Sequence, residues 1–290
     1  MSKTILITGA TDGIGLATAE QLAAEGHRVL LHGRNPQKLE QAQARVAAQA
    51  DGARIDGYIA DLSDLAAVAT LAQTVATEHP RLDVLINNAG VFKTAETRTS
   101  DDLDARFAVN TLAPYLLTQR LLSVIPQDGR VVNLSSAAQT PVDVEALAGR
   151  VALADDFAAY AQSKLALTMW SRALAQSLDP ALSGVGPAII AVNPGSMLGT
   201  KMVKDGFGVA GGDVRIGAKI LVRAALADEF ASASGRYFDN DKGSFGPPHP
   251  DALDARKCAE IVRLIERVLD SIQQSADATV AIDAEGNRYG

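Results

Sequence analysis

Residues 4–15 read Thr4-Ile5-Leu6-Ile7-Thr8-Gly9-Ala10-Thr11-Asp12-Gly13-Ile14-Gly15, and this stretch decides the fold. A short apolar run of strand type enters a turn with three glycines, and Leu16 to Glu25 then reads as helix. Glycine lets the backbone turn tightly and approach a ligand, while the start of the following helix presents N–H groups to a pyrophosphate. The spacing is Gly-x-x-x-Gly-x-Gly, not the commoner Gly-x-Gly-x-x-Gly fingerprint, so its context carries the reading. A purely structural turn is the competing reading. Strand before and helix after favour a nucleotide, with Gly9, Thr11, Asp12, Gly13, Ile14 and Gly15 as its cradle.

Working outward, strand-type runs recur at residues 28–32, 55–60, 83–87, 130–134, 188–192 and 236–238, separated by Ala/Leu-rich stretches of helical period. Unbroken apolar strands alternating with helices imply a parallel sheet covered on both faces, because each parallel step needs a crossover. The expectation is an α/β, doubly wound Rossmann fold with about seven mostly parallel strands. No repeat, low-complexity block or Gly/Ser-rich linker divides residues 1–290, which read as one domain. The final helix is expected from Asp254 to Gln273. A polar tail follows over residues 275–290, either loose or adding a strand at Thr279–Ile282.

The chain has 290 residues, 47% hydrophobic and 21% charged, the composition of an ordinary globule. Its net charge of -7, without a local Lys/Arg cluster, argues against a nucleic-acid or anionic-membrane surface. No apolar run is long enough for a membrane span, and a cytoplasmic location is expected. The single cysteine, Cys258, excludes an internal disulfide and reads as a packed thiol. The four histidines, His27, His32, His79 and His249, lack metal-ligand spacing; no metal is expected and none of them receives a role.

Several positions invite chemistry. The second strand ends in Gly33-Arg34-Asn35-Pro36, where NAD enzymes usually carry an acid and NADP enzymes a cation, so Arg34 points to NADP(H). Asp61-Leu62 follows the third strand, where Asp61 is a candidate helix cap that also faces adenine. Asn87-Asn88-Ala89-Gly90 closes the fourth strand at the sheet edge where ligands bind. Tyr160-Ala161-Gln162-Ser163-Lys164 places a phenol and an ammonium on one helical face, and the cation should lower the phenol's pKa. Tyr160 is the candidate general acid.

Thr8 to Gly15, Asn87 to Gly90, Asn110, Ser135-Ser136, Tyr160/Lys164 and Asn193-Pro194-Gly195 together resemble, in order, the motif series of the short-chain dehydrogenase/reductase family, over residues 4 to about 240. The chain looks most like the retinol dehydrogenase and protochlorophyllide reductase-like branch, through residues 106–110, 163–166 and 235–238. The resemblance implies an NADP(H)-dependent oxidoreductase interconverting an alcohol and a ketone or aldehyde, with a small apolar substrate and a homodimer or homotetramer as possible assemblies. It implies that Ser136, three residues past Asn133, holds the carbonyl oxygen, and that Lys164 also contacts the nicotinamide ribose. Asn110 would kink the helix expected from Ser100 to Val124 and bind a water that passes protons to Lys164. Asn88, Ala89 and Gly90 would line the cofactor, Pro194 and Gly195 would clasp the carboxamide, and Thr200 would close against phosphate.

Two segments depart from the pattern or stand beside it. The spacing from Ser136 to Tyr160 is about twice the family's, so roughly ten residues within 140–157 form an insert expected beside the active-site mouth. Residues 198–215, glycine-rich, read as a substrate lid. The helix from Tyr160 to Leu178 carries Leu167, Trp170, Ala173, Leu174 and Leu178, a stripe suited either to assembly or to plain core. The alternative function is a catalytically silent NADP(H)-binding redox sensor or regulatory protein, which would not need Ser136, Tyr160 and Lys164 together. A third reading, a light-driven or ring-reducing double-bond reductase of the same fold, uses the same Tyr/Lys pair, but this chain has no cysteine near the site, Cys258 lying far along the sequence.

Overall fold

A computed structural model describes residues 2–50, 52–179 and 186–286. Its elements are β1 (Thr4–Ile7), α1 (Gly13–Ala24), β2 (Arg28–Gly33), α2 (Pro36–Ala47), β3 (Ile55–Ile59), α3 (Leu65–Glu78) and β4 (Val84–Asn87). There follow α4 (Ala105–Phe107), a π-helical turn (Ala108–Leu112), α5 (Ala113–Leu121), β5 (Arg130–Leu134), α6 (Val144–Leu147), α7 (Asp156–Ser177) and β6 (Ala188–Asn193). The last part comprises α8 (Lys201–Phe207), α9 (Val214–Leu226), α10 (Asp228–Ala231), β7 (Tyr237–Asp239), β8 (Ser244–Gly246), α11 (Pro250–Leu253) and α12 (Ala255–Gly286).

The strands form one eight-stranded sheet in the order β3-β2-β1-β4-β5-β6-β7-β8, parallel except for the antiparallel β7–β8 pair. The seven expected strands are all present, and β8 is the addition. Successive strand residues alternate between two cores, as the pleat requires. Ile5, Ile7, Val29, Leu31, Val84 and Ile86 face α1, α2 and α9, whereas Leu6, Leu30 and Leu85 face α3, α5, α7 and α12. Burial of each such side chain contributes about 1.5–3 kcal/mol. The strand order reverses between β1 and β4, where the chain leaves the sheet in opposite directions and opens a crevice at the carboxyl ends.

Capping sets the helix starts beside that crevice. Asp12 accepts from Gly13 N–H at α1, Asn35 accepts from Lys38 N–H at α2 with Pro36 in the first turn, and Asp155 accepts from Phe157 and Ala158 N–H at α7. Asp61 is not the cap it was expected to be. Asp64 caps α3, and Asp61 instead accepts from Ser63 N–H and Oγ–H in a local turn.

Two further expectations change, and one left open is decided. The helix around Asn110 begins at Ala105, not Ser100, because residues 101–104 form the turn whose Asp104 caps α4. The last helix continues from Ala255 to Gly286, so the strand at Thr279–Ile282 does not form; residues 287–290 of the expected tail lie outside the described residues. The stripe on α7 is core: Leu167 and Trp170 are buried, Tyr115 packs edge-on against Trp170, and Ile261, Leu264 and Ile265 of α12 join the same cluster. Tyr115 Oη donates to Glu266 Oε1 at 2.9 Å, tying α5 to α12 across that face.

The insert folds away from the crevice. Ala146 and Leu147 of α6 are fully buried in the core beneath it, and Asp156 binds the buried Arg106 at 2.6 Å, with Asp104 on the other side of the guanidinium at 2.8 Å. Of residues 140–157, only Phe157 reaches the crevice wall.

Candidate active site

The crevice is a cavity of about 780 Å³ running along the carboxyl edge of the sheet. One end is walled by residues 9–15, by Arg34, Asn35 and Lys38 at the start of α2, and by Asp61 and Leu62 after β3. Asn88 to Gly90 form its middle, and Ser136, Tyr160, Lys164 and residues 193–203 its far end. Every residue expected to contact a cofactor lines this cavity; Asn110 stands behind the wall.

The glycine turn is held rigidly. Asn88 Nδ2 donates to Thr8 O and Gly9 O at 2.8 and 3.0 Å, and Thr8 Oγ1 accepts from the N–H groups of Asn88 and Ala89. Gly15 has no room for a side chain, since a Cβ there would stand 2.3 Å from Gly9 O. The turn and the first turn of α1 therefore present bare backbone to the cavity, which is what a pyrophosphate requires. Arg34 and Lys38, both exposed, place two cations at the end where an adenosine phosphate would lie. Thr200 caps α8, and its methyl group lies close to Gly13, so α8 closes over the turn. The donor set fits a phosphorylated dinucleotide.

At the far end α7 leaves Asp155 and carries Tyr160 and Lys164 one turn apart. Burial raises the Tyr160 pKa, and the hydrogen bond with Ser136 lowers it by less. Lys164, buried, is pushed down to about 8 by desolvation. Its Nζ donates to Leu134 O at 2.7 Å and stands 5.7 Å from the Tyr160 ring centre. The expected downward pull of Lys164 on the phenol thus does not dominate; desolvation of both groups does. Ser135 and Ser136 both border the cavity, but Ser135 Oγ is buried against Thr168 Oγ1 at 2.7 Å, whereas Ser136 is the more exposed of the two.

Asn110 is not a surface amide. It is buried in the π-helical turn, with its Oδ1 accepting from Val91 N–H at 2.8 Å and its Nδ2 donating to Val91 O and Ser163 Oγ, both at 2.9 Å. One extra residue per turn at this point swings the amide towards the β4 loop, and such π turns recur at functional sites.

The geometry also brings in residues the sequence did not single out. Asp241, in the β7–β8 hairpin, accepts from Ser196 N–H and Oγ–H and from Asn193 Nδ2, pinning the segment expected to clasp the carboxamide. Asn240 Nδ2 donates to Pro194 O at 2.8 Å. Phe92, just past the Asn-Asn-Ala-Gly turn, lies edge-on to Tyr160 at 5.4 Å between centres and is stacked on Phe207 of α8 at 5.4 Å. His32, at the end of β2, reaches the glycine turn. Only Phe92 had a sequence signal, its place directly behind a ligand-edge turn; the others depend on contacts between distant segments.

A family model described as short chain dehydrogenase matches residues 3–207. The chain belongs to that family. Retinol dehydrogenase 13 of Homo sapiens is 30% identical over 294 residues, covering 94% of this chain and 87% of its own. With the related retinol dehydrogenases, it places the chain in a retinol dehydrogenase-like branch. Among solved structures, an uncharacterized protein from Mycobacterium Paratuberculosis superposes with a TM-score of 0.76 at 28% identity, covering 92% of this chain and 93% of that one. A short chain dehydrogenase from Burkholderia cenocepacia, in complex with NADP, superposes with a TM-score of 0.64 at 29% identity, covering 82% of this chain and 95% of that one. The chain is thus an oxidoreductase by family. No helix among the described residues is long and apolar enough to cross a membrane.

Proposed function

We propose that this protein is an NADP(H)-dependent oxidoreductase that interconverts an alcohol and a ketone or aldehyde, with Tyr160 as the acid and base. The observation that carries the reading is the convergence of Ser136, Tyr160 and Lys164 at one end of a cavity whose other end carries the glycine turn, Arg34 and Lys38. The NADP bound to the Burkholderia cenocepacia relative supports the choice of cofactor. When bound, the nicotinamide supplies or accepts the hydride.

The chain's own residues supply the rest. In the reducing direction the Ser136 hydroxyl donates to the carbonyl oxygen, a neutral donor placed where negative charge develops. The Tyr160 hydroxyl gives its proton to that oxygen, and burial keeps the phenol protonated for the task. Lys164, held by Leu134 O beside the ring, stabilises the tyrosinate that results. Asn110 bridges the β4 loop to Ser163 on α7, fixing the distance between the cofactor wall and the Tyr160 turn. Ser163 Oγ also donates to Tyr160 O at 2.7 Å, so this chain of bonds ends on the tyrosine's own peptide.

The substrate end is walled by Phe92, Phe157, Met202, Val203 and Phe207, which suits an apolar carbonyl compound. The test is Tyr160→Phe, assayed by NADPH oxidation over a panel of ketones, aldehydes and quinones. Turnover should fall by about 10²–10⁴-fold, the usual worth of a general acid, while NADPH still binds. A variant as active as the wild type on any accepted substrate would refute the role.

A further inference from the structure

We infer that His32 is a positioning residue for the cofactor turn: its neutral imidazole fixes the Gly9 peptide, and NADPH affinity depends on its remaining neutral. The inference rests on the reading that the glycine turn receives NADP(H).

His32 lies on β2 at 3% exposure, between the turn that follows β1 and the end of β3. Its Nδ1 accepts from Gly9 N–H at 3.2 Å, and its Nε2 lies 3.0 Å from Ala60 O. A carbonyl oxygen only accepts, so Nε2 carries the ring proton and Nδ1 the lone pair. One tautomer of the neutral ring satisfies both neighbours. The imidazolium would carry a proton on Nδ1 aimed at the Gly9 N–H, setting two donors against each other in a buried place.

The turn is thus gripped from both sides. From β4, Asn88 Nδ2 binds the Gly9 carbonyl; from β2, His32 binds the Gly9 N–H, and its own carbonyl accepts from Ala10 N–H at 2.9 Å. Its second bond ends on Ala60, directly before Asp61 and Leu62 at the adenine end of the cavity. One ring therefore sets the spacing between the phosphate turn and the adenosine wall.

The charged groups around it are few. Desolvation lowers the His32 pKa from 6.5, outweighing the hydrogen bond to Ala60 O and the charge of Asp61 beyond β3, both of which favour the protonated ring. Arg34 beyond β2, Asp12 at the start of α1 and Lys38 on α2 line the same cavity, and Tyr58 is the register partner of His32 on β3. The facing segment of β1, residues 4–8, carries no charged side chain.

The test compares the wild type with His32→Gln, which keeps one acceptor and one donor but does not titrate, and with His32→Leu, which has neither. NADPH dissociation constants would be measured by fluorescence titration from about pH 5 to about pH 8, the range in which an imidazole changes charge. The 2′-phosphate of NADPH itself titrates near pH 6, and this contribution is common to all three proteins. At about pH 8 the Leu variant should bind roughly tenfold more weakly, because the Gly9 N–H loses its partner, and the Gln variant should recover most of that. On acidification the wild type should lose roughly tenfold more affinity than the Gln variant. Superposed pH curves for wild type and Gln, or a Leu variant that binds as tightly as the wild type at every pH, would overturn the role of His32 while leaving the proposed function intact. A wild type that does not bind NADPH at any pH would remove both.

Discussion

Arg34 shows how much one side chain can decide. It is exposed at the end of β2, shares the cavity mouth with Lys38, and lowers the pKa of Asp61 through its charge, though less than Asp61's bonds to Ser63 do. An acid in its place would repel a 2′-phosphate, whereas a guanidinium grips one with two parallel bonds. Hydrogen bonds to charged groups contribute about 1.5–3 kcal/mol. Arg34→Ala should therefore weaken NADPH by about tenfold or more while changing NADH little, with Lys38 retaining part of the phosphate contact. Dissociation constants for the two cofactors measure it, and equal losses for both would end the case for phosphate recognition. Arg34, Tyr160, Lys164 and the glycine turn could be proposed from the sequence because each is marked by its residue type and its place on one strand, turn or helix. His32 and Asp241 were not, since their partners, Gly9, Ala60 and Ser196, lie in the loops that follow other strands.

At the scale of elements, β1 to β7 were legible because a buried parallel strand is an unbroken apolar run, and β8 was not, being only Ser244-Phe245-Gly246 with one edge paired. The π turn at Asn110 and the inward folding of the insert depend on tertiary contacts, Asn110 with Val91 and Asp156 with Arg106. The segment expected to act as a lid is the instructive case. Its glycines suggest mobility, yet Gly206 has a packing reason: a Cβ there would stand 2.6 Å from Cδ1 and Cε1 of Phe92. The Phe92 ring, in turn, rests edge-on against Tyr160. Gly206→Ala must push the ring aside or lift α8, and overpacking of this kind costs about 1–3 kcal/mol. We expect kcat/KM for apolar carbonyl substrates to fall about tenfold, with little loss in melting temperature because α8 buries no residue of its own. A Phe92→Leu, Gly206→Ala double variant should regain part of the activity, since the smaller side chain gives way. A double variant that loses as much as the two single ones combined would show that the contact does not couple α8 to the tyrosine.

The whole molecule carries its acid sensitivity in its histidines. His27 accepts from Lys3 N–H, His32 bridges the cofactor turn, and His79 meets the buried hydroxyl of Tyr58; in each, desolvation lowers the pKa from the ordinary 6.5. The sign follows from which state binds the proton first. Above about pH 7 these rings are neutral in both the folded and the unfolded chain and contribute no pH dependence. Below about 6.5 the unfolded chain takes up protons that the fold resists, so stability declines as pH falls towards the lowered folded values. Each unit of lowering is worth about 1.4 kcal/mol. Asp61, Asp213, Asp241, Glu145 and Glu229, all held below the ordinary carboxylate range by hydrogen bonds and nearby cations, add losses of the same sign at lower pH, and Asp101, raised by burial, opposes them. The urea midpoint should therefore fall steadily from about pH 6.5 to about pH 5, and rise gently from about pH 7 to about pH 8, where the buried Lys164, lowered to about 8, gives up its proton in the fold before it would in the unfolded chain. In His32→Gln the same fall should be shallower, since one of the three rings no longer titrates. A midpoint that rises on acidification through this window would mean that the histidines are not held neutral in the fold.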